Sequence, residues 1–425
     1  MGDADVYFRA AWAIRSGADP YSTLDDNGWS YTYPPPLAIL LTPLADAPPG
    51  EGRAWLFPFW ASLTIWLALS WVFFIIAAHW TAKAVEESSP DPAQREWPVG
   101  CRRWWQIRVQ PLVLCLIGVC ATIARGQVNL LLLMLLSGVL LNVVRGRGLA
   151  AGLWLAAATC LKVIPAFLLI FALWRRDWRQ LAGFAAGMVL LLAVLPAVTL
   201  GPGRAIELNR RFLDTMIFAR YAGGHDQSKV REHETAIDNQ SIMAILFNAR
   251  HPGVVQRSAL IQPDRVDRAA HWIIGAGLVI ASLAAAHRRR RNEAERPRAD
   301  LLLLGMLTCV MLAVSPLTHL HYFVLALPLV ATLCAAGREG GTPTALSWVL
   351  ALPYLALSIP PHLPGSRIAM YLGLATWTNL GLWAAGAWTL VWGRSWNAAR
   401  RTDSPGTAGS REPGAPARTQ EKIPT

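Results

Sequence analysis

An all-α, polytopic membrane helical bundle follows from three features of this 425-residue sequence. Hydrophobic residues make up 54% of the chain, and charged residues only 16%. Soluble domains carry roughly a quarter charged residues, so a water-soluble enzyme of this length is excluded. A disordered chain is excluded as well, because far too much apolar surface is available for burial. The third feature is placement: basic residues stand in short clusters between long apolar runs. The net charge of +12 therefore encodes membrane topology rather than a nucleic-acid footprint, and no nucleic-acid partner is expected.

A bilayer crossing needs about 20 apolar residues, fewer where helices are short or broken inside a bundle. Runs of that kind predict eleven helices, near 54–79, 109–124, 128–144, 149–161, 163–174, 181–200, 270–287, 300–314, 320–336, 343–360 and 368–392. Within 149–174, charge decides the path. A single span would place Arg145 and Arg147 opposite Arg175, Arg176 and Arg179, against the positive-inside rule. It would also leave Lys162 near the bilayer midplane, at a cost of about 2.5–3.5 kcal/mol. A hairpin puts both clusters in the cytoplasm and Lys162 at an outer turn. Lys83, Arg95, Arg102, Arg103, the basic run 287–291, Arg394, Arg400 and Arg401 then join the cytoplasmic side. Residues 1–53, 125–128, 201–268, 315–320 and 361–367 fall outside. The membrane domain covers 1–394, with major outer loops 1–53 and 201–268. Residues 395–425, rich in Pro, Gly, Ser and Thr, form a disordered cytoplasmic tail. Eleven helices with an external N-terminus and no apolar signal segment leave two readings: the first helix inserts with its N-terminus out, or a further helix lies upstream of Met1. The six cysteines have neither metal nor disulfide spacing and read as apolar fillers. Tryptophans at segment ends (Trp80, Trp174, Trp272, Trp392) fit an interfacial belt.

The polar residues at the outer ends of helices carry the chemistry. Apolar positions Val6, Ala10, Ala13 and Ile14 recur at helical spacing, so 5–16 predicts an amphipathic helix along the outer surface. Asp3 and Asp5 open it, either as helix caps or as a general base facing a pocket. Tyr31-Thr32-Tyr33-Pro34-Pro35-Pro36 makes a rigid approach to the short apolar run 37–44, a re-entrant or interfacial segment. That loop serves as a cavity wall or as plain packing. Arg125-Gly126-Gln127-Val128-Asn129 is a tight outer turn. Arg125 either snorkels to headgroups or binds phosphate with its planar guanidinium, and Lys162 has the same two readings. Two outer cations in a chain whose short-loop cations are mostly cytoplasmic favour an anionic lipid headgroup.

Asp238-Asn239-Gln240-Ser241 precedes the apolar run 242–247. Asp238 or Asn239 caps that helix, or the amides of Asn239 and Gln240 bind sugar hydroxyls; Asn239 also opens a glycosylation sequon, a pattern common by chance. The stretch around His225 and His233 matches no standard ligand spacing, so neither a metal nor another cofactor is expected. In Ser315-Pro316-Leu317-Thr318-His319-Leu320-His321-Tyr322, two histidines stand at membrane depth, where ionisable residues tend to be functional. Two apart on a helix, they would face different ways, with only one in the cavity.

In order along the chain, these blocks resemble glycosyltransferase family 87, the polyprenyl-phosphate-mannose-dependent membrane transferases of the GT-C class. The matching elements are Asp3, Tyr7 and Ala10-Ala11, then Gly17-Ala18-Asp19-Pro20-Tyr21, then Tyr33-Pro34-Pro35. They continue with Arg125-Gly126-Gln127-Val128-Asn129, Lys162 with Pro165, Asn239-Gln240-Ser241, and Ser315-Pro316 followed by His321. Each motif alone is weak; the ordered set is specific. The resemblance implies a GT-C-like bundle acting on the outer face of the cell membrane. It implies inverting transfer of a hexose, most of all mannose, from a polyprenyl-phosphate donor to a lipid or envelope-glycan acceptor. It maps the general base to Asp3, with Asp5 next, and the family histidine to His321. Arg125, Gln127, Asn129, Lys162, Tyr33, Asn239, Gln240 and His319 become the substrate-binding set. Two departures stand out. The family's first helix is not in this sequence. His319 occupies a position where relatives often carry Trp, and Tyr322 replaces the second histidine of a pair. The chemistry is self-consistent: a phosphate leaving group needs no general acid, only cations or donors near the developing charge. Asp3, His321, Arg125 and Lys162 meet on one side only if 149–174 is a hairpin. The rival class is a non-catalytic lipid or sugar transporter, or a scaffold of an envelope-synthesis complex.

Overall fold

The computed structural model describes residues 2–52, 55–92, 95–218, 233–251, 263–338 and 366–393. The expected span at 343–360, the tail from 395 and the His225 stretch lie outside the described residues. Among the described residues the chain is helical, and an isolated bridge between Leu24 and Ser30 is the one extended pairing. The N-terminal region folds as α1 (Gly2–Ser16) and α2 (Pro35–Leu40). The first long span is α3 (Phe59–Glu87). Next come α4 (Arg102–Leu114) and α5 (Leu116–Arg125), then α6 (Asn129–Val144) and α7 (Gly148–Leu161). A 3-10 turn at Ile164–Leu168 leads into α8 (Leu169–Arg175). The next span is α9 (Trp178–Val189), a π turn and α10 (Leu195–Leu200), followed by α11 (Pro202–Phe212). The remaining helices are α12 (Ile242–Arg250), α13 (Arg265–Arg289), α14 (Arg296–Val314), α15 (Leu327–Arg338), α16 (Ser366–Tyr371) and α17 (Leu374–Val391).

Five of the described helices are long and apolar enough to cross a bilayer, and six if α4 and α5, bent by 62°, make one span. Pro111 lies inside α4 just before the break at Cys115; a proline removes a ladder hydrogen bond and crowds the preceding turn. Burial sorts the helices into layers. Helix α14 is buried along nearly its whole length, whereas the 178–200 span turns Val189, Leu190, Val194 and Val198 outward. Apolar helices without a polar face are what a lipid surround demands. Small residues then set the closeness of packing: a Cβ on Gly152 would fall 2.1 Å from the Gln180 carbonyl oxygen, and one on Gly183 would fall 2.1 Å from that of Leu149. Glycine lets α7 and α9 touch backbone to backbone.

The hairpin read from charge is present. Residues 148–161 and 164–175 are separate limbs meeting at Lys162. At the far end of the bundle Arg145 pairs with Glu87 at 2.7 Å, Arg175 pairs with Asp300 at 3.3 Å, and Arg290 reaches the same Asp300 at 2.5 Å. Both ends of the hairpin are therefore moored at one bundle face, with Lys162 at the other.

Two expectations are corrected. Helix α1 is not an amphipathic surface helix: Asp5, Tyr7 and Arg9 are buried along with its apolar face. Its polar side faces protein carboxylates, with the Arg9 guanidinium 2.9 Å from Asp26, 3.4 Å from Asp46 and 3.8 Å from Asp5, so periodicity alone misread a polar contact face as a wet one. The cap of α12 is Ser241, whose hydroxyl accepts from the Ala244 N–H, not Asp238 or Asn239. Trp80, half-buried, packs edge-on against Trp154 at 5.2 Å, while Trp272 and Trp392 are exposed.

Gly126 fixes α1 to the bundle. It caps α5 in the left-handed region at φ 67°, and a Cβ there would lie 2.7 Å from that of Ala4. Its carbonyl accepts a 2.8 Å bond from the Trp66 indole. Gly126→Ala combines backbone strain of about 1–2 kcal/mol with overpacking of about 1–3 kcal/mol. A lowered thermal midpoint in detergent is expected; an unchanged midpoint would contradict this docking.

Candidate active site

Four elements meet at the end of the bundle opposite the ion pairs: the start of α1, the proline loop before α2, the α5–α6 turn, and the segment 315–322. The proline loop is held by Tyr31, whose hydroxyl donates to the Pro34 carbonyl at 2.9 Å and accepts from the Ala38 N–H at 3.2 Å. This presents Tyr33 to α1. The Tyr7 and Tyr33 hydroxyls are 3.1 Å apart, and both reach Gln127 Oε1, at 2.9 and 3.4 Å. Burial, reinforced by Asp3, pushes the Tyr33 hydroxyl up to about 12, so it stays a neutral donor.

Lys162 is buried beside this triad. Its Nζ donates to Asn129 Oδ1 at 3.0 Å and stands 3.6 Å from the Tyr322 ring centroid and 5.6 Å from that of Tyr33. Burial pushes its ammonium down to about 7, and the negative charge of Asp3 opposes that fall. The Asn129 amide also donates to the His321 carbonyl at 3.0 Å, and Thr122 Oγ1 reaches the same oxygen at 3.1 Å. Lys162, Asn129 and His321 thus form one buried connection across three segments. The Nε2 of His321 is buried with no hydrogen-bond partner among the described residues.

Asp3 bears electrostatically on Lys162, Tyr33 and Tyr7, and its buried Oδ2 has no partner among the described residues. Asp5 turns the other way, toward Arg9. Burial, with Asp26 next, holds the Asp5 carboxyl above its usual range. The structure separates the two candidates: the charge of Asp3 bears on Lys162 and the two tyrosines, and Asp5 belongs to the Arg9 cluster.

The histidines also differ from expectation. Residue 319 has extended backbone (φ −100°, ψ 165°) before the 3-10 helix 320–326, so helical facing does not apply. The His319 and His321 rings stack at 5.6 Å instead of pointing apart. His319 Nδ1 lies 3.3 Å from Asp238 Oδ2, and that contact holds the Asp238 carboxyl below its usual range. Arg125, exposed at the end of α5, adds a second cation whose charge reaches Asp238 and His321.

Asn239 and Gln240 serve the scaffold. The Asn239 amide nitrogen donates to the Glu234 and Pro316 carbonyls, each at 2.8 Å, and its oxygen accepts from the Ser241 and Thr318 N–H groups at 3.1 and 3.0 Å. Two donors and two acceptor sites are the full capacity of a carboxamide, which leaves none for a sugar hydroxyl or for glycosylation. Gln240 donates from its side chain to the Met370 carbonyl at 2.9 Å and from its N–H to the Thr318 carbonyl at 2.6 Å. Together they pin the turn that carries the histidines. Tyr7, Tyr31, Thr122 and Tyr322 are site residues outside the set chosen from sequence. The aromatic Tyr-x-Tyr before the prolines was a usable signal for Tyr31; an isolated Thr in an apolar helix was not one for Thr122.

Fold and site together define a multi-pass membrane protein with a buried cation and, at the same end of a helical bundle, a carboxylate with one buried oxygen unpartnered among the described residues. The model of glycosyltransferase family 87 matches residues 31–316, more than half of the chain. The chain belongs to glycosyltransferase family 87 and is a multi-pass membrane glycosyltransferase. No curated protein matches it. Among solved structures, ArnT from Cupriavidus metallidurans in the apo state is similar, with a TM-score of 0.40 and 14% identity, over 92% of this chain and 72% of that one.

Proposed function

We propose that the protein transfers a hexose, mannose foremost, from a polyprenyl-phosphate donor to a lipid or envelope-glycan acceptor, on the extracytoplasmic face of the cell membrane and with inversion. One observation carries the reading: the Lys162 ammonium is buried without a carboxylate within ion-pairing distance among the described residues, in the field of Asp3, whose Oδ2 is buried without a hydrogen-bond partner among them. A buried charge left unneutralised by its own protein is costly and suits an anionic ligand. Lys162, with Arg125 at the mouth, would stabilise the charge developing on the phosphate as the glycosidic bond to it breaks. Asp3 would take the proton of the attacking acceptor hydroxyl. Tyr7, Tyr33 and Gln127, bonded to one another, would form a neutral wall beside the sugar and would exchange these bonds for its hydroxyls. His321 and His319 line the same end and would bind or orient substrate.

Membranes containing the full protein, supplied with polyprenyl-phosphate mannose and extracted lipid acceptors, should form a new mannosyl lipid together with polyprenyl phosphate. Movement of donor across vesicles with no new glycosidic bond would instead favour a transporter, and inactivity with either would favour a scaffold.

A further inference from the structure

We propose that Tyr322 is a positioning residue for transfer: its ring face, with the Asn129 amide oxygen, keeps the Lys162 ammonium charged and aimed while leaving that charge free for the donor phosphate. The assignment rests on the reading of Lys162 as the phosphate cation and adds how this chain keeps such a cation ready.

A buried ammonium needs compensation, and the choice of partner decides what it can do next. A carboxylate at ion-pairing distance would hold the charge, but an arriving phosphate would have to displace it. An aromatic face attracts a cation through its quadrupole, more weakly than a full anion and without cancelling its charge. Lys162 has the second arrangement, with the Tyr322 ring centroid at 3.6 Å and one neutral amide oxygen at 3.0 Å. The ring is fixed by its place in the 3-10 helix 320–326 and by packing against His321, at 4.7 Å between centroids. The Asn129 amide that accepts from Lys162 also ties down the His321 carbonyl, so the lysine, the tyrosine and the histidine are set by one polar link. The charged and titratable groups that bear on Lys162 or on the residues beside it fit this account; Tyr7 is a buried hydroxyl held by Tyr33 and Gln127, and His319 stacks beyond His321. Asp3 comes from α1 and supports the charge. Tyr33 comes from the proline loop and stays neutral. His321 comes from the same turn as Tyr322, and Arg125 from the end of α5; neither can neutralise a cation.

The test measures kcat/KM for a polyprenyl-phosphate sugar across about pH 5 to 9, a quantity that reports ionisations of the free enzyme. Tyr322→Leu removes the ring face and should move the alkaline limb toward acid by about one pH unit, with reduced activity at neutral pH. Tyr322→Phe keeps the ring and should restore the wild-type limb. Lys162→Arg should flatten the limb, since arginine stays charged throughout. Thermal midpoints in detergent identify any variant that fails to fold, and Tyr322→Phe keeps the test decisive if Tyr322→Leu does. A wild-type limb in folded Tyr322→Leu, or a Tyr322→Phe variant as impaired as Tyr322→Leu, overturns the assignment while leaving the phosphate reading intact. Undiminished kcat/KM in Lys162→Ala overturns the phosphate reading itself.

Discussion

Asp3→Asn should lower kcat for sugar transfer by about 10²- to 10⁴-fold, the range over which a positioned general base contributes, with little change in donor KM. Asparagine keeps the size and hydrogen-bonding reach of the carboxylate but cannot take a proton. Asp5→Asn is the informative control. Asp5 lies 3.8 Å from Arg9 in a cluster that also contains Asp26 and Asp46, so its loss should lower the thermal midpoint and leave kcat of the folded fraction near wild type. The measurement is initial-rate transfer by purified variants matched for folded protein. Equal kcat losses in both variants, or none in Asp3→Asn, would remove Asp3 from the role of base.

Lys162→Met should reduce kcat/KM for the lipid-linked donor by about 10²- to 10³-fold, the effect of deleting one preorganised group that stabilises developing charge. Methionine matches the lysine stem in bulk, so packing against Tyr322 and Tyr33 survives and the effect reports charge. The sign of the pH dependence follows from burial, which brings the ammonium down to about 7. The cation is present below that pH and is lost above it, so wild-type kcat/KM should fall as pH rises through 7. Lys162→Met should lack this limb. A variant that keeps both the rate and the limb would place the phosphate elsewhere.

The large-scale architecture was legible because the signals that encode it are local and strong. Basic clusters at Arg145 and Arg175 fixed a hairpin that the Glu87 and Asp300 pairings now display, since the cost of carrying charge into a bilayer is high wherever it occurs. Lys162 was found for the same reason. What sequence could not supply was the partner of each polar group. Arg9 looked like one residue on the wet side of an amphipathic helix, because its carboxylates lie 17 and 37 residues away. Asn239 looked free to bind sugar, because two of its four bonds go to backbone near residue 317, remote in sequence. Asp3 and Asp5 were ranked by resemblance alone, and their different surroundings, Lys162 for one and Arg9 for the other, lay in the fold.

The bond from Thr122 to the His321 carbonyl joins residues 199 apart, and that from Tyr7 to Gln127 joins residues 120 apart. Contacts of such sequence separation form late, after loop closure has become affordable. During insertion, α1 must wait for the α5–α6 turn, and that turn must wait for the histidine segment nearly two hundred residues later. The ribosome therefore releases most of the bundle before Lys162 meets its ring. A nascent or truncated chain therefore lacks the assembled cluster of Asp3, Lys162 and Tyr322, which is complete only once the last of these segments has been laid in.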